Sequence, residues 1–509
     1  MESNKKYYLS TFFWSVFQKC VGAVFSFISV PLLLEFYGKS SYGLLAVATS
    51  CNAYMHLLDL GMNNGATRFF SRWRAEGKIN MINRVAQTNI TFYMIIAVLN
   101  ILFLLGLSWF GERLFSVSHT EFLQLRECFL VLALFSFFSW GTTTFNQLLI
   151  ADGQLAYTLQ LQCIVAILKC VLVISVLVLK LPLTVYFFLL TGIVASLVIP
   201  YMLRCKRHKL IGSIKPARYW KDFKVVMTFS LALFGLSVFQ ITAKDSRSII
   251  LSMLAADGAG SVAEYSIISA IPQLIIMVGG TFTGMFLPKT SAMVVSNNQN
   301  EISDFAYKWT LRTTVIMCII SFPFMICSRE LLSAYVGIKY SYLAPWLFIW
   351  CLTVLIQNHT APLGSLVYGY GKTKVLIMVT AISCVLSIIV NASLCKLLGV
   401  GSAIIGYAIY VFIIIGLYYV YFNKYLLHLQ RFKVCLCFLK PTVLAAILAF
   451  IVYYLPINYS FLPVSNQRVY YLLICIIKSV IWLLPYIALL QLSKVIDFRF
   501  LLKNNEKDL

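Results

Sequence analysis

Long apolar runs separated by short basic stretches repeat along this chain from end to end. A membrane-spanning helix needs about 20 mostly apolar residues, and such runs fall at 12–34, 42–62, 88–110, 127–149, 157–179, 184–203 and 225–254. They continue at 264–288, 309–331, 345–368, 375–397, 402–422, 441–457 and 469–492. The pattern predicts an all-α polytopic membrane protein with about fourteen transmembrane helices. Composition fits: of 509 residues 60% are hydrophobic and 12% charged, with a mean hydropathy of +0.85, more apolar surface than a soluble chain of this length could hide. The connections on one side are short, the longest at about 111–126, which leaves no room there for a catalytic domain.

Charge orients the spans. The connections 68–84, 204–224, 288–312, 369–374 and 423–440, with the two tails, hold most of the 41 Lys and Arg. By the positive-inside rule that side is cytoplasmic, N- and C-termini included. Much of the net charge of +23 is therefore topological. It attracts anionic membrane lipids and does not signal nucleic acid. The 14 cysteines lie mostly inside or beside spans and show no metal-ligand spacing, so free thiols and no metal site are expected. Lys5 and Lys6 precede an apolar run of full spanning length without a small-residue cleavage pattern, so the first helix is expected to stay as an anchor.

Two stretches repeat. Gly38-Lys39-Ser40-Ser41-Tyr42-Gly43 is similar to Gly260-Ser261-Val262-Ala263-Glu264-Tyr265, with Tyr42 on Tyr265 and Gly61 then on Gly284, and Ala151-Asp152-Gly153-Gln154 is similar to Tyr370-Gly371-Lys372. Both offsets equal six spans, an even number, which predicts two halves of the same orientation, as in parallel-repeat transporters. The expected organisation is an N-lobe at 1–203, a basic cytoplasmic linker at 204–224, a C-lobe at 225–422, and two appended spans with a cytoplasmic tail at 423–509.

Charges inside the runs carry the functional reading. Lys19, Lys169, Lys244, Arg247 and Lys478 stand at bilayer depth against Asp59 and Asp245. A charge there costs at least about 2.5–3.5 kcal/mol, so it persists where it faces a cavity, a partner or a substrate. Helical spacing places Asn52, His56, Asp59 and Asn63 on one stripe, and Gln240 and Lys244 on another flanked by Asp245 and Arg247. Ordinary helix packing through small and polar residues explains the serines and glycines of such stripes, but not the charges. Lys169 either faces the cavity or pairs with Asp59 or Asp245. Lys19, close to the cytoplasmic boundary, has snorkelling as its rival role. The histidines His56 and His359 either titrate during transport or are satisfied core residues. Broken helices are expected at Pro272, Gly279, Gly280, Gly284 and Pro288, and at Gln357-Asn358-His359-Thr360-Ala361-Pro362.

No P-loop, nucleophile elbow or HExxH motif is present, so catalysis and ATP-driven pumping are not expected. Pro31-Leu32-Leu33-Leu34, Tyr37-Gly38, Tyr42-Gly43, Asp59-Leu60-Gly61 and Ala66-Thr67-Arg68, with the later Gly371-Lys372, together resemble the polysaccharide and O-antigen oligosaccharide flippases. Those belong to the multidrug/oligosaccharidyl-lipid/polysaccharide exporter superfamily, which also holds the MATE transporters. The resemblance implies a MATE-like fold that moves undecaprenyl-pyrophosphate-linked oligosaccharide from the cytoplasmic to the periplasmic leaflet. It implies a polysaccharide polymerase and glycosyltransferases as partners, and it marks Asp59, Gly61 and Arg68 as important. The charges then make a cationic cavity of Lys19, Lys169, Lys244, Arg247 and Arg68. Its polar lining is Asn52, His56, Asp59, Asn63, Gln240, Asp245, Gln357 and His359. No cofactor is expected, and coupling to a proton or sodium gradient falls to the two aspartates. The rival expectations are a lipid II flippase, a multidrug/cation antiporter of the same superfamily and, less favoured, a membrane-embedded glycan polymerase.

Overall fold

The computed structural model describes residues 2–296, 298–371, 374–455 and 466–493. Lys372 of the second repeat and the tail from 494 lie outside the described residues, as does the side chain of Pro288. The first helices are α1 (Glu2–Tyr37), α2 (Lys39–Tyr54), α3 (Met62–Ala75), α4 (Ile79–Phe110), α5 (His119–Ala151), α6 (Leu155–Leu179), α7 (Leu183–Ala195), α8 (Val198–Arg207) and α9 (Trp220–Leu254). After them come α10 (Gly258–Ser296), α11 (Gln299–Ile326), α12 (Ser328–Tyr335), α13 (Ala344–Asn358), α14 (Ala361–Gly369), α15 (Lys374–Leu398), α16 (Val400–Leu417), α17 (Arg431–Tyr454) and α18 (Gln467–Leu492). Among the described residues no strand occurs.

Twelve helical segments among the described residues are long and apolar enough to cross a membrane. The expected runs at 42–62 and 225–254 are not among them. The first is divided between α2 and α3, and in α9 the side chains of 232, 233, 236 and 237 lie outside the described set.

The chain divides into two compact units, Met1–Ser266 with Ala392–Val400, and Ile267–Asn391 with Gly401–Leu509. α9 and the start of α10 fall in the first unit, whereas the sequence reading opens the C-lobe with α9. In unit 1, α4 packs on α5 and α1 on α6, while α2 and α3 lie against both α5 and α9. Lipid tails are as apolar as leucine, so helices in a membrane associate through close backbone approach and polar bonds. Glycines make that approach here. A Cβ on Gly43 would stand 1.9 Å from the Ala259 carbonyl oxygen, and one on Gly65 would stand 1.9 Å from Ser230 Oγ. Met62, Phe70, Trp73, Tyr93, Trp140 and Phe223 form part of one buried cluster. In unit 2, α11 packs on α13, α14, α17 and α18, α12 packs on α18, and Trp482 of α18 donates to the Ala445 carbonyl of α17 at 3.1 Å.

The helix breaks fall partly where proline and glycine predicted them. α13 ends at Asn358 and α14 begins at Ala361, so the break at His359-Thr360 is present. By contrast α10 runs unbroken through Pro272, Gly279 and Gly280. Another break lies in the second run. After α2 the chain makes a tight 3₁₀ turn over Met55–Asp59, then Leu60 (φ 51°) and Gly61 (φ 72°) are both left-handed before α3 starts. A left-handed residue ends a helix because its carbonyl no longer points along the axis, and for leucine the conformation is sterically costly.

Candidate functional site

The left-handed pair stops the helix one residue after Asp59 and turns the start of α3 back toward its carboxylate. Asn63 N–H donates to Asp59 Oδ2 at 3.1 Å, so the carboxylate takes one of the open N–H groups of the first turn, where the helix dipole also favours an anion. On the other side Tyr93 of α4 donates its hydroxyl to Asp59 Oδ1 at 2.5 Å. Gln147 of α5 donates to the Tyr93 oxygen at 2.9 Å and reaches Asn63 Oδ1 at 3.5 Å. Behind it Asn89 donates to Gln147 Oε1 at 2.6 Å and to Thr144 at 3.2 Å. Trp140 stacks on Tyr93 with ring centroids 6.0 Å apart, and the His56 ring lies 5.0 Å from Trp140. Higher along α4, Asn100 donates to Asn52 Oδ1 at 3.1 Å and to Ser136 at 2.7 Å.

The expected single helical stripe is interrupted by the break, with Asn52 on α2, His56 and Asp59 in the 3₁₀ turn and Asn63 on α3, and the partners of these residues are ones the sequence reading missed. Asn52, Asp59 and Asn63 meet a polar ladder of Tyr93, Asn89, Asn100, Gln147, Thr144 and Ser136 on α4 and α5, while His56 lies against the Trp140 ring. The signal was available as polar side chains inside the apolar runs 88–110 and 127–149. His56 lies within electrostatic range of both Asp59 and Asp245, and Asp245 within range of Lys244, Arg247 and His56. His56 and Asp59 stand in the turn between α2 and α3, and Asp245 stands on α9. The histidine side chain is accessible at the surface, and Asp59 and Asp245 are half-buried. Such a group can take up or release a proton or hold a small cation, because its carboxylates are accessible in part and that of Asp59 is held by the neutral donors Tyr93 and Asn63 N–H.

The cations take different positions. Lys19, Lys244, Arg68 and the neutral Gln240 have exposed side chains, and Arg247 is buried. The Arg68 guanidinium lies 4.3 Å over the Phe229 ring, and the Lys169 ammonium lies 5.9 Å over Phe25 on α1. Lys169 makes no ion pair among the described residues, so neither Asp59 nor Asp245 answers it. Lys478 is paired with Glu330 of the short helix α12, a carboxylate at the margin of an apolar run that the sequence reading did not count. Gln357 and His359 belong to unit 2. Tyr407 donates its hydroxyl to Gln357, and His359 is 1% exposed, against the Ile356 carbonyl and 3.0 Å from the Tyr419 hydroxyl. His359 is thus a satisfied core histidine.

Two further ties close the ends of unit 1. At one end Lys39 binds Glu264 at 2.7 Å and Asp257 at 3.0 Å, joining the starts of α2 and α10. Beside it Ser116 N–H donates to the Ser252 carbonyl at 2.8 Å, and Gly258 N–H to the Ser116 carbonyl at 3.2 Å. At the other end Asp152 pairs with Arg74, and Gln154 Oε1 accepts from Arg204 Nε at 2.7 Å. The repeated Asp152-Gly153-Gln154 stretch is therefore an anchor for α3 and α8, and Gly153 supplies its positive φ of 75°. Every described cysteine is a free thiol, and no cluster of potential metal ligands occurs among the described residues.

The all-helical membrane fold, with discontinuous helices and a buried polar ladder around an aspartate, is that of the transporters of the multidrug/oligosaccharidyl-lipid/polysaccharide exporter superfamily. The family model described as polysaccharide biosynthesis protein matches residues 9–294, and the chain belongs to that family. Among solved structures the fold is similar to "Lipid II flippase MurJ, inward closed conformation" (12% identity, TM-score 0.70, 97% of this chain and 100% of that one). It is also similar to an inward-facing "multidrug resistance MATE family transporter of the MOP superfamily" (16% identity, TM-score 0.61, 79% of this chain and 96% of that one). A mutant form of the Vibrio cholerae MATE transporter VcmN shares the fold at 14% identity and TM-score 0.51, over 83% of this chain and 100% of its own. No curated protein matches this chain in sequence.

Proposed function

We propose that this transporter is a flippase for polyprenyl-pyrophosphate-linked oligosaccharide, carrying repeat units of a surface polysaccharide from the cytoplasmic to the periplasmic leaflet of a bacterial inner membrane. The observation that carries the reading is the surplus of cations within the spans of a chain that belongs to a polysaccharide biosynthesis family. A pyrophosphate crossing hydrocarbon without water or counter-charge pays several kcal/mol or more. Lys19, Lys244 and Arg68, exposed as they are, and Lys169, without an ion pair among the described residues, are suited to replace its hydration. The polyprenyl tail stays in the bilayer while the head group moves. Rocking of two six-helix lobes gives alternating access. The Asp59–His56–Asp245 group is the place for proton or sodium coupling. Glycosyltransferases that build the oligosaccharide and a polymerase that consumes it are the expected partners, and the chain itself performs no catalysis.

Transport of cationic drugs would call for a surplus of acids, and here cations prevail. Lipid II shares the pyrophosphate, so the sugar separates the two cargoes. The test is uptake in vesicles reconstituted with the full chain. Flipping of undecaprenyl-pyrophosphate oligosaccharide at least about tenfold faster than protein-free vesicles, without transport of a cationic dye, is expected. Transport of the dye alone contradicts the proposal, and transport of lipid II alone reassigns the cargo.

A further inference from the structure

A second site lies wholly within unit 2. α11, α12, α13, α17 and α18 enclose an open cavity of about 1120 Å³, at the upper end of the roughly 300–1,000 Å³ usual for ligand pockets. It exists because one face of α17 is small: Thr442, Ala446, Ala449 and Tyr453 fall at helical spacing, and the alanines leave a trough where larger side chains would have filled it. Its walls include Phe322, Met325, Phe348 and Phe450. Phe348 and Phe450 are 41% and 65% exposed, so the trough opens on the outer surface of the unit. Tyr342, Tyr453 and Tyr454 stand at its margin, the residue type that gathers at the headgroup level of a bilayer.

The polar part of the cavity is charged. Lys478 and Glu330, paired with each other, both line it, with side chains only 13% and 18% exposed. Arg329 lines it as well, is exposed, and makes no ion pair among the described residues. The lining charge is therefore net positive, held by a guanidinium whose planar fork suits phosphate. Apolar walls that open sideways in a membrane are covered by acyl chains, and the cationic margin selects the head group.

We propose that this cavity binds a membrane phospholipid with an anionic head group, its phosphate on Arg329 and an acyl chain along the Ala446 and Ala449 face, as a bound lipid separate from the transported cargo. The Lys478–Glu330 pair then serves as a fixed polar floor beneath the head group. One cation near a membrane surface contributes about 1 kcal/mol toward an anionic lipid, which is about fivefold in affinity.

The test uses the purified full chain in detergent, titrated with phosphatidylglycerol or phosphatidylethanolamine of identical chains and read by native mass spectrometry. One phosphatidylglycerol retained with about fivefold preference over phosphatidylethanolamine is expected. Arg329→Gln should bring that ratio to about one with the lipid still bound, and Ala446→Trp, which fills the trough, should remove both lipids while thermal unfolding stays as in the wild type. Equal retention of the two lipids by the wild type overturns the proposal, and so does a folded Ala446→Trp variant that binds like the wild type. If Ala446→Trp does not fold, the wild-type ratio and its loss in Arg329→Gln decide alone.

Discussion

Asp59 shows how one residue acquires a function from its surroundings. Its place among the polar positions Asn52, His56 and Asn63 was legible from spacing, but the single helical face that the spacing implies is interrupted by the turn over Met55–Asp59 and the left-handed Leu60 and Gly61. Its partners were not legible, because Tyr93 and Gln147 come from α4 and α5, and single-chain periodicity does not reveal which faces of different helices meet. Its carboxylate accepts from Tyr93 and from Asn63 N–H. A hydrogen bond to a charged group contributes about 1.5–3 kcal/mol. Asp59→Asn keeps the shape and removes the charge. It is expected to slow flipping about tenfold with normal yield of folded protein, and unchanged flipping would leave the residue a structural role only. Gly43 offers a purely steric test. An added methyl meets the Ala259 carbonyl in backbone that cannot turn aside, whereas Gly22 has open space around it. Gly43→Ala should destabilise the detergent-solubilised protein by about 1–3 kcal/mol, the range of overpacking, with Gly22→Ala near zero. Equal unfolding midpoints would contradict the close approach of α2 and α10.

Among elements, the apolar runs fixed most helices, since length and hydropathy are properties of one segment. Breaks were harder. Pro272 sits inside a continuous α10, while the break beside Asp59 arises from two left-handed residues, one of them a leucine that no breaker rule singles out. The tie between α2 and α10 also lay partly in view, because Lys39 and Glu264 occupy the two copies of one repeated stretch. Partial burial pulls the Lys39 ammonium down, but its hydrogen bonds to Glu264 and Asp257 and their charges outweigh this and hold its pKa above the ordinary lysine value. A raised value means the pair stabilises the folded form fully below the unfolded pKa of about 10.4 and is lost only as pH rises through the folded value. The tie is therefore expected to be insensitive between about pH 6 and pH 9. Hydrogen exchange across 252–258, corrected for its intrinsic pH dependence, should be constant over that range. Lys39→Gln should speed it about two- to fivefold, on the scale of about 0.5–1 kcal/mol for a partly exposed ion pair. Restoration by the swap of Lys39→Glu with Glu264→Lys would identify the charge itself as the cause, and a wild-type protein whose exchange rises steeply across that pH range would refute it.

For the whole molecule, charge asymmetry carries the expected topology and the intramembrane cations carry the proposed cargo. The stretch 204–224 is expected to label from the cytoplasm and 111–126 from the periplasm, and single-cysteine labelling that places both on one side would break the even arrangement of spans. The cations are the more demanding matter. Lys478 shows that a deep lysine is sometimes answered within its own unit, and Glu330 escaped notice because it lies at the margin of an apolar run, where its helix is eight residues long. Lys169 and Lys244 are different, the one half-buried without an ion pair among the described residues, the other exposed. The most direct measurement is flipping of undecaprenyl-pyrophosphate oligosaccharide in vesicles holding equal amounts of folded wild type, Lys169→Ala, Lys244→Ala and the corresponding Lys→Arg proteins. A cationic path predicts that each alanine variant slows flipping about tenfold and that arginine restores a substantial part of it, given the different bulk and donor geometry of its head group. Flipping at the wild-type rate by both alanine variants would contradict the cationic path.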